Sequence, residues 1–243
     1  GDRLWRLKVE IVGAKGLGLY FDEFYIPKGG EFYVYNEDGT QVLGAFTEKN
    51  NHESSSFVTS VIIGEVVILE YFEPHSVQGE GEIRLSDVAH VYRMLKGANS
   101  SISIDPSDPC QVDVNCSEGT NWQDEKRGVV RISIKIGVGL YWCSGSVVNN
   151  TSQDCTPYVL SAWHCGEGAS ISDFNQWVFY FNYESSNCGS GYAPTNQTVT
   201  GASMLANSAD GGGSSGSDFM LLELNSSIPL SYNTYYNGWS RSN

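Results

Sequence analysis

The chemistry in this sequence centres on one histidine. His164 sits in Ser161-Ala162-Trp163-His164-Cys165, and the run Cys143-Ser144-Gly145-Ser146-Val147-Val148-Asn149-Asn150 precedes it. Both runs read as strands joined by a turn. A closed hairpin would bring Cys143 and Cys165 within bonding distance, and a disulfide there would hold His164 at the rim of the sheet. A rigidly held imidazole suits a general base, because its pKa of about 6.5 permits proton uptake and release at neutral pH. Such a base needs a carboxylate to orient it. Asp218 opens the apolar run Phe219-Met220-Leu221-Leu222-Glu223-Leu224 after a Gly-Ser loop, so its side chain can face a cleft while the strand anchors it. Asp210 is the competing acid, but it lies within the loop with no strand directly behind it. His52, His75 and His90 lack such surroundings and read as structural residues.

The elements that must position these residues are short. From Leu4 to about Arg93, β-type runs alternate or are β-branched: Leu7 to Val12, Glu31 to Tyr35 and Glu65 to Tyr71. The turn sequences Pro27-Lys28-Gly29-Gly30 and Asn36-Glu37-Asp38-Gly39 predict antiparallel hairpins between successive strands, and a small β-sandwich overall. A second series comes at Val129 to Ile136, Tyr141 to Val148, Tyr158 to Trp163, Trp177 to Tyr183, Thr198 to Leu205 and Phe219 to Leu224. That density of strands predicts a closed antiparallel barrel. Between the two, Lys96 to Pro109 is rich in Gly, Ser, Asp and Pro, as an exposed linker is. The expected layout is therefore 1–95 as a β-sandwich-like domain, 96–109 as linker and 110–243 as barrel domain. Trp142, Trp163, Trp177, Tyr180 and Tyr183 are expected to pack in the barrel core.

Composition excludes several functions. With 40% hydrophobic residues and 17% charged, the chain is an ordinary globular one. A net charge of -14 repels phosphate backbones and anionic lipid, so nucleic acid is excluded as a partner. No apolar run reaches the roughly 18 to 20 residues of a membrane-spanning helix, so no membrane partner is expected. All six cysteines lie at or after Cys110, which separates two modules. Their irregular gaps do not match zinc-ligand spacing, so disulfides, an oxidising compartment and no metal or cofactor are expected. The N-terminus lacks a signal peptide, so Gly1 is expected to follow a trimmed segment or an expression boundary. Sequons at Asn99, Asn115, Asn149, Asn150, Asn196 and Asn225 would carry glycans only in a eukaryotic secretory path.

Ser161-Ala162-Trp163-His164-Cys165 resembles the Thr-Ala-x-His-Cys histidine motif of chymotrypsin-like serine peptidases. Together with Cys110-Gln111-Val112-Asp113-Val114-Asn115-Cys116-Ser117-Glu118-Gly119, the Cys143 to Asn150 run and Ser217-Asp218-Phe219-Met220-Leu221-Leu222-Glu223-Leu224, it is similar to bacterial lysyl endopeptidases, over roughly Cys110 to Arg241. The resemblance implies a secreted, all-β serine endopeptidase with protein or peptide substrates and a preference for lysine. It implies His164 as general base, Asp218 as its acid partner, and bridges Cys143–Cys165 and Cys116–Cys188. Cys110 would pair outside this stretch, and Cys155 departs from the family pattern.

The same resemblance places the nucleophilic serine on a second barrel beyond Asn243, so the missing C-terminal half is itself an expected partner. Gly213-Ser214-Ser215-Gly216-Ser217 imitates the nucleophile motif but directly precedes Asp218 and reads as a flexible loop. The N-terminal module resembles in outline the pro-region of such peptidases, with Lys96-Gly97 as the candidate processing site of a zymogen. The alternative reading is a catalytically inactive truncated or degenerate peptidase, or a β-sandwich binding module.

Overall fold

A computed structural model describes residues 1–92, 112–189, 193–210 and 216–240. The linker with Lys96 and Gly97, Cys110, the glycines 211 to 213, Ser214 and Ser215 lie outside the described residues. The chain divides into two compact units, Gly1–Met94 and Leu95–Asn243.

The first unit has eight strands: β1 (Arg3–Glu10), β2 (Gly16–Tyr25), β3 (Glu31–Asn36), β4 (Val42–Phe46), β5 (Phe57–Val58), β6 (Ile62–Ile63), β7 (Val66–Glu73) and β8 (Glu82–Val91). One sheet runs β1-β7-β3-β4, and the other runs β5-β2-β6 with β8 also on β2. Their inner faces share one core that includes Leu17, Leu19, Phe21, Phe32, Val34, Val67 and Leu69. Alternation in β3 explains its orientation, since Phe32 and Val34 are buried while Glu31, Tyr33 and Tyr35 are half exposed. Five phenylalanines cluster here, with Phe21 edge-on to Phe32 at 5.7 Å and Phe24 stacked on Phe57 at 4.1 Å. Each such ring pair adds about 0.5 to 1.5 kcal/mol beyond its buried area.

The hairpin expectation holds at one place. β3 and β4 pair through the Asn36 to Gly39 turn, where Gly39 has φ +68° and donates its N–H to the Asn36 carbonyl at 3.1 Å. The Pro27 to Gly30 turn is not a hairpin, because it carries the chain from β2 in one sheet to β3 in the other. A sandwich needs such crossovers to bury both inner faces.

The second unit is one seven-stranded antiparallel sheet made of β9 (Val129–Ile136), β10 (Gly139–Val148), β11 (Tyr158–Ala162), β12 (Val178–Phe181), β13 (Thr198–Thr200), β14 (Ala202–Asn207) and β15 (Phe219–Leu224). Its order is β13-β12-β9-β10-β11-β15-β14. The two edge strands, β13 and β14, are separated in sequence by Gly201 alone. The sheet must therefore curl to bring its two edges to this corner, which gives a half-barrel whose edge strands are not paired with each other among the described residues. The run Thr198 to Leu205, read from sequence as one strand, is broken at this corner. Inward residues alternate along β9 (Val130, Ile132, Ile134) and β15 (Met220, Leu222, Leu224), and they enclose Phe179, Phe181 and the fully buried Trp177. Among the described residues one short α-helix, α1 (Ile171–Phe174), covers part of this core.

Gly201 has φ +81°, and a Cβ there would lie 2.6 Å from the Asn225 side-chain nitrogen and 3.1 Å from the Asn175 carbonyl. Gly168 has a similar φ of +80° with open space around it. Gly168→Ala should cost only the left-handed backbone penalty, about 1–2 kcal/mol. Gly201→Ala should add an overpacking cost and reach roughly 2–5 kcal/mol. Urea unfolding followed by tryptophan fluorescence checks this, and equal losses for the two variants would contradict the barrel-corner role.

Candidate active site

Strand register brings the histidine to its carboxylate. β11 pairs with β10 (Val147↔Val159) and with β15 (Ala162↔Phe219). β11 ends at Ala162, and the chain turns through a 3-10 segment, Trp163–Cys165. Antiparallel pairing therefore sets the residues just after β11 beside those just before β15. The Trp163 N–H donates to the Asp218 carbonyl at 2.9 Å, and the His164 N–H donates to Asp218 Oδ1 at 2.8 Å. The His164 ring Nδ1 lies 2.6 Å from Asp218 Oδ2.

An ionised carboxylate only accepts hydrogen bonds, so Nδ1 must carry the proton and a neutral imidazole keeps its lone pair on Nε2. The His164 side chain is 60% exposed and the Asp218 side chain 23%. Among the described residues no hydroxyl is hydrogen-bonded to Nε2. Nε2 lies 3.6 Å from the Cys165 sulfur, which has no proton to give because it is in a disulfide.

The Cys143–Cys165 disulfide ties β10 to the turn that carries His164. Closing a loop with a sequence separation of 22 restricts the unfolded chain by about 3 kcal/mol. A second disulfide joins Cys116 to Cys188. Around it, Lys126 pairs with Glu184 at 2.9 Å, Asn115 Nδ2 donates to the Ser185 carbonyl at 2.6 Å, and the Gly189 N–H donates to Asp113 Oδ2 at 2.7 Å. Cys155 is a free, exposed thiol. Among the described residues one cluster has metal-like spacing: Cys143, His164 and Cys165. Its two sulfurs are bonded to each other and so are not thiolate ligands.

Asp218 has φ +46°, in the left-handed region. Asp210, the competing acid, does not reach His164. Its Oδ1 accepts the Asp218 N–H at 2.7 Å and the Ser208 hydroxyl at 3.1 Å, while its Oδ2 accepts the N–H and hydroxyl of Ser217 at 3.1 and 3.3 Å. Nothing in the local sequence distinguished this role, since the bonds depend on how the loop returns.

The aromatic residues divide. Trp177 and Tyr180 are buried and Trp163 packs against the core, whereas Trp142 is exposed and Tyr183 half-buried. Trp142 lies outside the core because it is outward on β10. The Arg131 guanidinium stacks between its ring, 3.8 Å away, and that of Tyr183, 4.6 Å away.

A curled antiparallel barrel with a histidine after one strand, its carboxylate before the next and a disulfide beside the histidine defines a class: the first barrel of a chymotrypsin-like fold. The sequence-family profile described as "Lysyl endopeptidase, C-terminal domain" matches residues 104–243. The chain belongs to that family. The lysyl endopeptidase of Pseudomonas aeruginosa is 28% identical over 191 residues, covering 74% of this chain and 39% of that protein. The chain thus spans well under half the length of this relative. The matched share of the chain is longer than the 104–243 segment, so the similarity extends into residues before 104.

The ring hydrogen bond from His164, together with the weaker bond from its backbone N–H, holds the Asp218 carboxyl below its ordinary value of 3.8. A depressed carboxylate pKa means that the stabilisation from this contact is complete above that ordinary value. It is lost only as pH falls through the lower folded value. A carbon-13 titration of the Asp218 carboxyl should show a midpoint below 3.8. A midpoint at or above it would show that the pair does not form in solution.

Proposed function

We propose that this chain carries the general base and orienting carboxylate of a secreted serine endopeptidase, with the nucleophilic serine in sequence beyond Asn243. The observation that carries this reading is the 2.6 Å contact between His164 Nδ1 and Asp218 Oδ2, which leaves Nε2 as an exposed proton acceptor. Nε2 takes the proton of the serine hydroxyl as the oxygen attacks the substrate carbonyl, then delivers it to the departing amine. Asp218 stabilises the imidazolium formed between these steps, and backbone N–H groups of the other half hold the oxyanion. A water activated by the same Nε2 hydrolyses the acyl-enzyme. Substrates are proteins or peptides, and cleavage after lysine follows the name of the relative. The two disulfides fit an oxidising, extracellular compartment.

Residues 1–95 are assigned as a pro-type domain, 96–109 as linker and 110–243 as the N-terminal part of the peptidase domain. Support comes from the relative's similarity reaching residues before 104. Lys96-Gly97 is the proposed processing bond, one that a lysine-specific enzyme can cut itself. N-terminal sequencing of the secreted, active protein should begin at Gly97, and a start at Gly1 would rule out processing there.

In the full-length protein, Asp218→Asn should lower kcat on peptides with a single internal lysine by about 10⁴-fold, because the amide favours the wrong imidazole tautomer. His164→Ala should be at least as severe. Unchanged turnover in either variant would remove both residues from the mechanism, and equal cleavage after lysine, leucine and glutamate would remove the lysine preference alone.

A further inference from the structure

Asp218 combines three demands on one residue. Its two carboxylate oxygens separately accept the ring and backbone N–H groups of His164, and its own carbonyl accepts the Trp163 N–H. Meeting all three places its backbone at φ +46°, which residues with a Cβ seldom adopt. Something must hold that conformation. The β11–β15 ladder begins only at Phe219, so it fixes the chain on the C-terminal side of Asp218 and leaves the N–H side to the loop.

Asp210 supplies that hold. It lies three residues past the end of β14, where the Ser208 N–H donates to the Phe219 carbonyl at 2.9 Å and anchors the loop to β15. From there its carboxylate spans two successive backbone N–H groups, those of Ser217 and Asp218, one on each oxygen. The hydroxyls of Ser208 and Ser217 add two more donors. The arrangement brings two carboxylates into one small region, and Asp210 pushes against the ionisation of Asp218. A carboxylate offers an acceptor oxygen to each of the two N–H groups, which a carboxamide, with one acceptor oxygen, cannot do.

We propose that Asp210 is the positioning residue of the His164–Asp218 pair: its carboxylate fixes the left-handed backbone of Asp218 so that both oxygens of Asp218 face His164. The proposal rests on the reading of His164 and Asp218 as base and acid partner, and it deepens that reading by adding a third group.

The test is nuclear magnetic resonance on the nitrogen-15-labelled 243-residue chain. Two signals report the geometry directly: the downfield Nδ1 proton of His164 and the exchange rate of the His164 backbone N–H. The amides of Val159 and Leu222, inside the β11–β15 ladder, report whether the barrel is intact. In Asp210→Ala the Nδ1 proton should disappear into solvent exchange, and the His164 amide should exchange at least tenfold faster, with Val159 and Leu222 unchanged. Asp210→Asn keeps one acceptor oxygen for two backbone donors, so it should give an intermediate result. Wild-type His164 signals in Asp210→Ala would overturn the proposal. If that variant loses the barrel amides, wild-type signals in Asp210→Asn would overturn it instead.

In the full-length enzyme, Asp210→Ala should lower kcat by about 10²-fold with KM unchanged, the size of effect that a small misplacement of a catalytic group produces. The two readings fail separately. Lost His164 signals with normal turnover would show that Asp210 positions a pair that is not catalytic. A turnover loss in Asp218→Asn, with wild-type His164 signals in a folded Asp210 variant, would keep the pair and discard Asp210.

Discussion

The pairing of β11 with β15 is the constraint on which the rest of the site depends. It is an antiparallel ladder of five residue pairs, Tyr158↔Glu223 through Ala162↔Phe219. Its geometry forces the segment leaving β11 to lie beside the segment entering β15. His164 and Asp218 are 54 residues apart in sequence, and loop closure over that distance is offset by the ladder and by the core residues Val159, Met220 and Leu222 that it buries. The 2.6 Å contact is therefore a consequence of strand register, and the disulfide to Cys143 holds the turn from the opposite side. A one-residue slip of β15 would turn Met220 and Leu222 to solvent and carry Asp218 away from the ring.

Much of this was legible in the sequence, and for identifiable reasons. His164 is adjacent to a cysteine at a strand end, and Asp218 directly precedes an alternating apolar strand, so both lie where local pattern and position coincide. The inward residues of β9 and β15 follow strict alternation. β2 was not legible. Gly16 to Phe21 are buried at every position, so the strand has no period of two to detect, and it forms the middle of its sheet. β8 failed for the opposite reason, being exposed or half-exposed throughout. The corner at Gly201 joins the two edge strands of the curled sheet, a property of its strand order that no local window contains.

Trp142 and Asp210 show the same limit at the scale of single side chains. An aromatic residue on a strand fits either the core or the outer face, and only the register of β10 places Trp142 outside, stacked on Arg131. Asp210 has the composition of any loop aspartate, and the hydrogen bonds that its carboxylate accepts from Ser208, Ser217 and Asp218 come from the tertiary structure. Where hydrogen bonding joins residues close in sequence through a loop return, sequence pattern carries the residue types and the fold supplies their purpose.

The most direct measurement is active-site labelling of the full-length protein with a fluorophosphonate probe, with the modified residue located by peptide mass spectrometry. A single labelled serine beyond Asn243, with labelling abolished in His164→Ala, is the result expected if Nε2 of His164 activates the nucleophile. Label on a serine within residues 1–243, or labelling that persists without the imidazole, would contradict it.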